Sequence, residues 1–450
     1  MAVSPTDTDW RERLLGYLDE HRADIVTDLV DLVRIPSISG SDEENEIQHV
    51  LAHRLAELGL EVDSWEIPLA ETLAAEDFPG VEVERREGWG TVGRLSGRGD
   101  GNGRSLMLNA HVDVVPPGDL GTWGEAGPFG AAIRGGDVHG RGTCDMKAGL
   151  VASLWVLRAC TALGIPLSGD LLLGTVIGEE DGGLGTYALL QRGWRADACV
   201  IPEPTSLDLA PATSGALTFR LAVTGQAAHA SRRLSGVSAI EKFLPVFAAL
   251  RRLEASRNEL KHPLMTRWEL PLPIELGMIR SGEWASSVPD VLTAEGRLGV
   301  AIGEDPGAAR RALAEAVDEV CAADPWLRAH PVSVEWWGGQ FAPGLTDVDA
   351  DILDVVRRAH GVVSERPQDT WGTPYGSDLR LMTNLGGIPT VHYGPGDAAL
   401  AHGPYESVPV TELFTATRAL ALVTMEHCGV RDGNRSRFAA AESRGDESDD

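Results

Sequence analysis

Seven histidine and acidic residues stand just beyond short apolar runs or tight turns of the sequence, where their side chains could meet. Histidine nitrogens and carboxylate oxygens, in a set without thiolates, are ligands suited to Zn²⁺, Co²⁺ or Mn²⁺. A carboxylate that is not used as a ligand can move protons as a general base. The residues are His111, Asp113, Asp145, Glu179, Glu180, Glu203 and His402.

The stretch LGTVIGEEDGG, residues 173–183, shows why such a set needs an explanation. Glu179, Glu180 and Asp181 carry like charges at adjacent positions, and charges of this kind are costly to bury. By itself, the cluster is equally typical of a solvated acidic turn. A bound cation would instead relieve the repulsion, and the protein would then be less stable without its metal.

Each residue also has an ordinary structural interpretation. A single histidine such as His111 or His402 is more often a core or surface residue than a ligand, and Asp145 could cap the following helix. Glu203, between two prolines, could be a loop residue. Their conjunction at successive strand ends favours a metal site. Asp113, two residues after His111, is then placed to accept the second N–H of the imidazole.

Short buried strands alternating with helices must position these residues. Helical spacing of apolar residues marks 11–33, 147–164 and 349–363. The alternation predicts an α/β fold with a mostly parallel sheet sandwiched by helices, in which ligands gather beyond the carboxyl ends of the strands. The apolar runs typical of buried strands are residues 105–110, 171–177, 198–202 and 388–393.

A block of different texture interrupts this pattern. Half-exposed strand patterns and strongly amphipathic helices follow there in the order β-α-β-β-α-β, which is that of a ferredoxin-like unit. We therefore expect a catalytic domain over residues 1–214 and 339–430, and an inserted ferredoxin-like α+β lid or dimerisation domain over 215–338. The composition of residues 431–450 predicts an acidic, disordered tail.

Composition and charge argue against several classes of protein. The formal net charge of −28 over 450 residues disfavours a nucleic-acid partner, because phosphate binding needs clustered lysine and arginine. We expect neither a membrane span nor a secretory signal from the hydropathy of the chain. The five cysteines are scattered without CxxC spacing, which fits reduced thiols in a cytoplasmic protein.

Five motifs, in order along the chain, resemble the signatures of one enzyme family. It is the family of two-zinc amidohydrolases and metallopeptidases that includes acetylornithine deacetylase, succinyl-diaminopimelate desuccinylase, aminoacylase and glutamate carboxypeptidase. The resemblance runs through almost the whole chain, including the inserted block. The motifs are NAHVDVVP (109–116), GRGTCDMKAG (140–149), IGEEDGG (177–183), PEPT (202–205) and GPG followed by LAHGPYE (394–406).

The resemblance implies two divalent metal ions per subunit, zinc foremost, with cobalt or manganese as alternatives. One aspartate would bridge the two ions, and a histidine and a glutamate would complete each ion's ligands. The implied ligands are Asp145 as the bridge, His111 and Glu203 on one ion, and Glu180 and His402 on the other.

The resemblance also assigns roles in catalysis. Glu179 would be the general base that takes a proton from a water between the two ions, which lower the pKa of that water. Asp113 would support the ligand His111. In the family the peptide bond after the bridging aspartate is cis, and here that bond joins Asp145 to Met146.

Further residues are implied in substrate binding. His229 resembles a lid histidine that reaches the neighbouring subunit's active site and stabilises the oxyanion, although a turn histidine is the alternative. Arg297 and Arg380 match family arginines that could hold a substrate carboxylate, or they could be structural ion-pair partners. Gly394 and Gly396 would form a tight loop lining the pocket.

The expected function is metal-dependent hydrolysis of a linear amide bond in a small N-acyl amino acid or related amide, as in a deacetylase or desuccinylase. A dipeptidase or carboxypeptidase acting on short peptides would use the same residues. An inactive relative that serves as a binding protein is a third hypothesis, although the implied ligands and Glu179 are all present. The expected partners are the small substrate and a second copy of the chain, in a homodimer formed through the lid.

Overall fold

A long, mixed sheet packed against helices and a smaller antiparallel sheet make up the fold. The computed structural model describes residues 7–99 and 103–431. The predicted acidic tail therefore lies, beyond its first residue, outside the described residues. The helices are α1 (Asp7–Glu20), α2 (Arg22–Val33), α3 (Asp42–Glu57), α4 (Leu69–Leu73), α5 (Ala148–Leu163), α6 (Leu184–Gln191), α7 (Ala239–Arg257), α8 (Pro306–Ala323), α9 (Pro325–Ala329), α10 (Asp351–Val363), α11 (Leu379–Asn384) and α12 (Val410–Cys428).

The strands contribute to four sheets within the described residues. In chain order they are β1 (Glu61–Glu66), β2 (Trp89–Leu95), β3 (Leu106–His111), β4 (Ala132–Arg134), β5 (Asp137–His139), β6 (Leu171–Val176), β7 (Ala198–Ile201), β8 (Leu209–Thr213), β9 (Gly215–Thr224), β10 (Ala228–His229), β11 (Ile274–Ser281), β12 (Ser287–Val288), β13 (Val291–Val300), β14 (Ser333–Phe341), β15 (Gly344–Leu345), β16 (Thr370–Thr373), β17 (Thr390–His392) and β18 (Ser407–Pro409).

The central sheet has the strand order β1-β2-β6-β3-β7-β17-β8-β15, with β16 paired to β8. Its middle strands β6, β3, β7 and β17 are parallel neighbours. Every residue of β3 and β6 is buried, which is why these strands read as continuous apolar runs. The predicted α/β class and the four predicted core strands are confirmed.

The smaller sheet has the order β11-β13-β9-β14 and is antiparallel throughout. Helix α7 follows β9 and helix α8 follows β13, so the elements come in the predicted ferredoxin-like order. Buried side chains form two clusters, one drawn from residues 10–209 and 352–428 and the other from residues 217–332. These clusters agree with an inserted unit, while the exact domain boundaries stay predictions.

One predicted helix divides into two. The apolar spacing over residues 11–33 predicts continuous helix, whereas the structure has α1 and α2 with His21 between them. His21 has φ −98° and ψ 17°, which lies outside the helical region and redirects the chain. Both helices still bury their apolar faces in the core.

Helix α5 and the turn that precedes it lie within the larger of the two clusters of buried side chains. Residues 143–163 form a helix long and apolar enough, by length and composition, to span a membrane. However, 78% of an apolar 18-residue stretch of it is buried inside the protein. The helix packs against α12, β3 and β6, which explains its apolar character on all sides. Gly149 in its first turn lets the helix approach the loop after β7, since a Cβ there would lie 2.0 Å from the carbonyl oxygen of Pro202.

Replacing Gly149 by alanine should therefore destabilise the protein by about 1–3 kcal/mol, because the helix and the loop must separate. The matched control is Gly16→Ala in α1, where a Cβ meets nothing within 4 Å. That change should be neutral or stabilise the helix by about 0.5–1 kcal/mol. Urea unfolding of both variants measures the difference, and equal midpoints for Gly149→Ala and the wild type would contradict the close approach.

Candidate metal centre

The residues singled out from the sequence meet beyond one edge of the central sheet. His111 ends β3, the Glu179–Glu180 pair follows β6, and Glu203 follows β7. Because β6, β3 and β7 are parallel neighbours, their carboxyl ends lie side by side. Asp145 lies in the turn before α5, and His402 lies in the loop between β17 and β18. Residues far apart in the chain are thus delivered to one place.

Asp145 stands between the two histidines. Its Oδ1 lies 3.2 Å from Nε2 of His111, and its Oδ2 lies 3.4 Å from Nε2 of His402. Each oxygen of one carboxylate therefore faces a different imidazole. His402 reaches this position with φ +61°, in the left-handed region that non-glycine residues seldom adopt.

Each histidine has a second carboxylate neighbour. Glu203 Oε1 lies 3.8 Å from His111 Nε2, and Glu180 Oε2 lies 3.0 Å from His402 Nε2. The five implied ligands therefore form two groups that share Asp145. Their assignment to two separate ions stays a prediction.

The donor atoms suit a divalent cation. Ligand atoms of His111, Asp145 and Glu180 all lie within 4.8 Å of one another, which is close enough for one ion to contact all three. Imidazole nitrogens with carboxylate oxygens are the ligands of catalytic zinc and of similar metals. The residues present therefore fit a metal ion on the chemistry of their donors.

Electrostatics at the centre also favours a cation. Burial is the largest influence on Glu179 and Glu203, and it raises the pKa of both carboxyls well above their usual range. The charge of His111 opposes this rise, while neighbouring carboxylates add to it. Buried carboxylates this close to one another are costly to ionise unless positive charge is supplied.

Asp113 has a different contact from the one expected. Its carboxylate lies 3.6 Å from His111 Nδ1, whereas its backbone carbonyl accepts a hydrogen bond from that nitrogen at 2.9 Å. The carboxylate instead accepts from the backbone N–H groups of Glu179 and Glu180, at 3.2 and 3.3 Å, and from the Ser39 hydroxyl at 3.0 Å. A fully buried carboxylate is better satisfied by three donors than by one shared imidazole.

Asp181 belongs to a buried ion-pair network, whereas the sequence predicts no role for it beyond the turn. Arg85 donates to both of its carboxylate oxygens, at 2.9 and 3.0 Å, and to both oxygens of Glu44, at 2.8 and 2.9 Å. Glu44 in turn accepts from the backbone N–H of Gly178 at 3.1 Å. The network grips both ends of the turn that carries Glu179 and Glu180. No local sequence pattern signals it, because its members are far apart in the chain.

A second buried pair holds the turn that carries the shared aspartate. Glu406 Oε1 accepts from the backbone N–H groups of Cys144 and Asp145, at 3.2 and 3.3 Å, and its other oxygen pairs with Arg141. The Asp145–Met146 peptide bond is cis, as expected. Glu406 is the last residue of the LAHGPYE motif, which also contains the implied ligand His402. This closeness in sequence is the one signal that points to a role for Glu406.

A cavity of about 620 Å³ opens onto the centre. Asp145, Glu203 and His402 contribute to its wall together with Glu179. Arg297, from strand β13 of the smaller sheet, lines the same cavity. The volume suits a small ligand.

Neither His229 nor Arg380 is among the described residues that line this cavity within the single chain. His229 is exposed on the smaller sheet's side of the molecule, where its Nδ1 bonds the hydroxyl of Ser231 at 2.8 Å. Arg380 is buried and donates to the carbonyl oxygens of Gly182 and Ser377, at 2.7 and 2.8 Å. Its guanidinium also stacks 4.1 Å from the ring centre of Phe341. Within the single chain Arg380 therefore makes structural contacts, two of them with the cavity-lining residues Ser377 and Phe341.

Gly394 and Gly396 lie behind the ligands instead of in the cavity wall. A Cβ on Gly394 would be 2.3 Å from the carbonyl oxygen of Pro202, and one on Gly396 would be 2.6 Å from the Cβ of Cys144. The two glycines therefore let their loop pack directly against the turns that carry two of the ligands. Neither glycine is among the described residues that line the cavity, and their contact with substrate stays a prediction.

The sequence matches the model of one protein family, described as peptidase family M20/M25/M40, over residues 107–426. It is 27% identical over 447 residues to the N-formyl-4-amino-5-aminomethyl-2-methylpyrimidine deformylase of Halalkalibacterium halodurans, covering 93% of this chain and 98% of the relative. It is 28% identical over 400 residues to the succinyl-diaminopimelate desuccinylase of Gluconacetobacter diazotrophicus, covering 86% and 92% of the two chains.

Among solved structures, human carnosine dipeptidase 1 has a TM-score of 0.73 with this chain at 16% identity. The superposition covers 94% of this chain and 99% of that protein, so the likeness of fold extends to the inserted unit.

The matched range contains all five implied ligands and Glu179. The structure gathers the ligands around Asp145, and Glu179 lines the same cavity. The resemblance seen in the motifs is thereby confirmed. The chain belongs to peptidase family M20/M25/M40, and it is a metal-dependent hydrolase of amide bonds in small substrates.

Proposed function

We propose that this chain is a deacylase that hydrolyses the linear amide bond of a small N-acyl amino acid or related amide, with two zinc ions in its centre. The observation that carries the proposal is the position of Asp145, whose two oxygens face the imidazoles of His111 and His402 separately. A carboxylate shared in this way suits a bridge between two ions better than one closed site.

The side chains divide the work. His111 and Glu203 would hold one ion, His402 and Glu180 the other, and Asp145 both. Two divalent cations bound there lower the pKa of a water and polarise the carbonyl of the scissile amide. Cobalt or manganese would also suit these nitrogen and oxygen ligands.

Glu179 is the general base in this proposal. Its backbone is fixed by the hydrogen bond to Asp113, and its side chain lines the cavity beside the ligands. From there the carboxylate takes a proton from the attacking water and returns it to the nitrogen of the leaving amine. Because Glu180 points to His402 at 3.0 Å, the two adjacent glutamates have separate tasks.

Some relatives are named for removal of an acyl group from an amine, which supports a deacylase, whereas others are named probable carboxypeptidases. The deformylase and the desuccinylase both align with most of this chain. A dipeptidase would use the same ligands. Hydrolysis assays distinguish a deacylase from a dipeptidase. The substrates are N-formyl, N-acetyl and N-succinyl amides beside dipeptides, each with zinc, cobalt or manganese. Hydrolysis of dipeptides alone would overturn the deacylase.

We also propose that the chain forms a homodimer through the inserted unit. Ile240, Leu244 and Phe247 are exposed along one face of helix α7, and strand β11 is an edge strand with exposed Met278 and Ile279. An exposed apolar face beside an unpaired edge suits an interface between copies. In such a dimer His229 would serve the partner's active site.

A cytoplasmic location fits the thiols of the chain. All five cysteines are free and buried, as expected of a protein kept in a reducing compartment. Cell fractionation of the host tests this location.

Replacing Glu179 by glutamine should lower kcat by about 10²–10⁴-fold, because the general base is lost while its shape is kept. Metal content per chain should stay at the wild-type value. Steady-state kinetics with elemental analysis measure both. A large loss of metal would mean that Glu179 is a ligand and that the roles of the two glutamates are reversed.

Asp145→Ala should deplete both metal ions, because each group of ligands loses its shared member. Elemental analysis after dialysis measures the metal bound, and circular dichroism verifies that the variant is folded. Two ions per chain in a folded Asp145→Ala protein would rule out the bridge.

Mixing an inactive His229→Ala protein with an inactive Glu179→Gln protein should restore activity if His229 acts in the partner's site. Random exchange yields about a quarter of the wild-type activity, because half of the dimers are mixed and each has one intact site. No recovery, with subunit exchange verified by mass spectrometry, would contradict the role in trans.

A further inference from the structure

The cavity wall away from the metal centre carries little positive charge. Among the described residues that line the cavity, Arg297 is the only arginine or lysine. Asp181, another lining residue, is already paired with Arg85. Outside the metal centre this leaves one guanidinium with two carboxylates, those of Glu82 and Glu275.

Arg297 is held by Glu82. Its Nη2 lies 3.0 Å from Glu82 Oε1, and the Thr218 hydroxyl donates to the same oxygen at 2.8 Å. Glu275 stands directly opposite Arg297 in the pairing of β11 with β13. The guanidinium that could receive a substrate carboxylate therefore already has one carboxylate bound and another as its cross-strand neighbour.

Glu82 is more firmly placed than an ordinary surface glutamate. Its backbone N–H and that of Val83 donate to Asp181 Oδ2, at 3.2 and 3.0 Å. Its side chain packs against Gly338, where an added Cβ would lie 2.6 Å from the Glu82 Cγ. A preorganised carboxylate loses little conformational entropy when it pairs with Arg297. Glu82 therefore competes better with a substrate carboxylate for this guanidinium than a mobile side chain would.

We propose that Glu82 is a specificity-determining residue which, by occupying Arg297, makes this cavity select amides whose amine half carries no carboxylate. A substrate carboxylate must displace Glu82, which then loses its guanidinium partner, and it must also approach Glu275, whose carboxylate lies 3.9 Å from Arg251. An uncharged or cationic amine half meets neither cost. This inference rests on the proposed deacylase function. Of the two substrate classes proposed there, it favours related amides of uncharged or cationic amines over N-acyl amino acids with a free carboxylate.

Matched substrate pairs test the proposal. The probes are N-formyl, N-acetyl and N-succinyl leucine, each as the free acid and as the leucinamide, which differ only in the carboxylate. The wild type should have the higher kcat/KM for the amide of the acyl group it accepts. Glu82→Gln should lower the ratio of amide to acid by about two- to fivefold, the size of a partly exposed ion pair, mainly through a lower KM for the acid.

The matched control is Glu84→Gln. Glu84 lies two residues away on the same segment, is exposed, and is outside the wall of this cavity, so its loss changes the net charge equally. The ratio should stay at the wild-type value. Metal content and melting temperature establish that each variant is intact, and inhibition by leucine against leucinamide gives the same ratio as a binding measurement.

The outcomes separate the two proposals. No hydrolysis of any of the six probes by the metal-loaded wild type would remove the deacylase function and this inference with it. Hydrolysis with a preference for the free acids would leave the deacylase in place and overturn the role of Glu82. A Glu82→Gln protein whose ratio is unchanged, or whose preference for the amide rises, would overturn it too, since Glu82 would then merely orient Arg297.

Discussion

Carboxylates held close together at the buried end of a parallel sheet are the constraint on which the rest of this structure depends. Asp145 lies within 3.4 Å of both imidazoles, and Glu180 and Glu203 lie just beyond them. Strands β3 and β6 are wholly buried, so the side chains at their ends cannot relieve their repulsion by moving apart. Positive charge must be supplied instead, and the imidazole and carboxylate atoms present are suited to divalent cations.

The polypeptide answers this constraint by fixing the backbone of each turn that carries a ligand. Asp113 holds the N–H groups of the glutamate pair, and Glu406 holds those of Cys144 and Asp145. The Glu44–Arg85–Asp181 network grips the same glutamate turn from its two ends. In each case a buried charge satisfies backbone donors, which orients the ligands through the main chain and leaves their side chains free.

The segment after Phe78 connects this scaffold to the smaller sheet. Val83 donates to Asp181 on the catalytic side, while the carbonyl of Pro79 accepts from Gln340 at 2.8 Å on the side of β14. Glu82 lies between these anchors and contacts Arg297. This segment therefore has two roles. Through Val83 it holds Asp181 and the turn that carries Glu179 and Glu180, and through Glu82 it sets the charge that an incoming substrate meets.

Much of this protein was determined by local features of its sequence. Apolar runs predicted β3, β6, β7 and β17, because a strand buried on both faces must be apolar throughout. The order of the motifs predicted which residues meet, because the carboxyl ends of parallel strands lie along one edge. Only the tertiary structure decided the partners of Asp113 and Asp181 and the structural place of Arg380. Those contacts join segments up to 198 residues apart, and a buried charge takes whichever donors the folded chain brings to it.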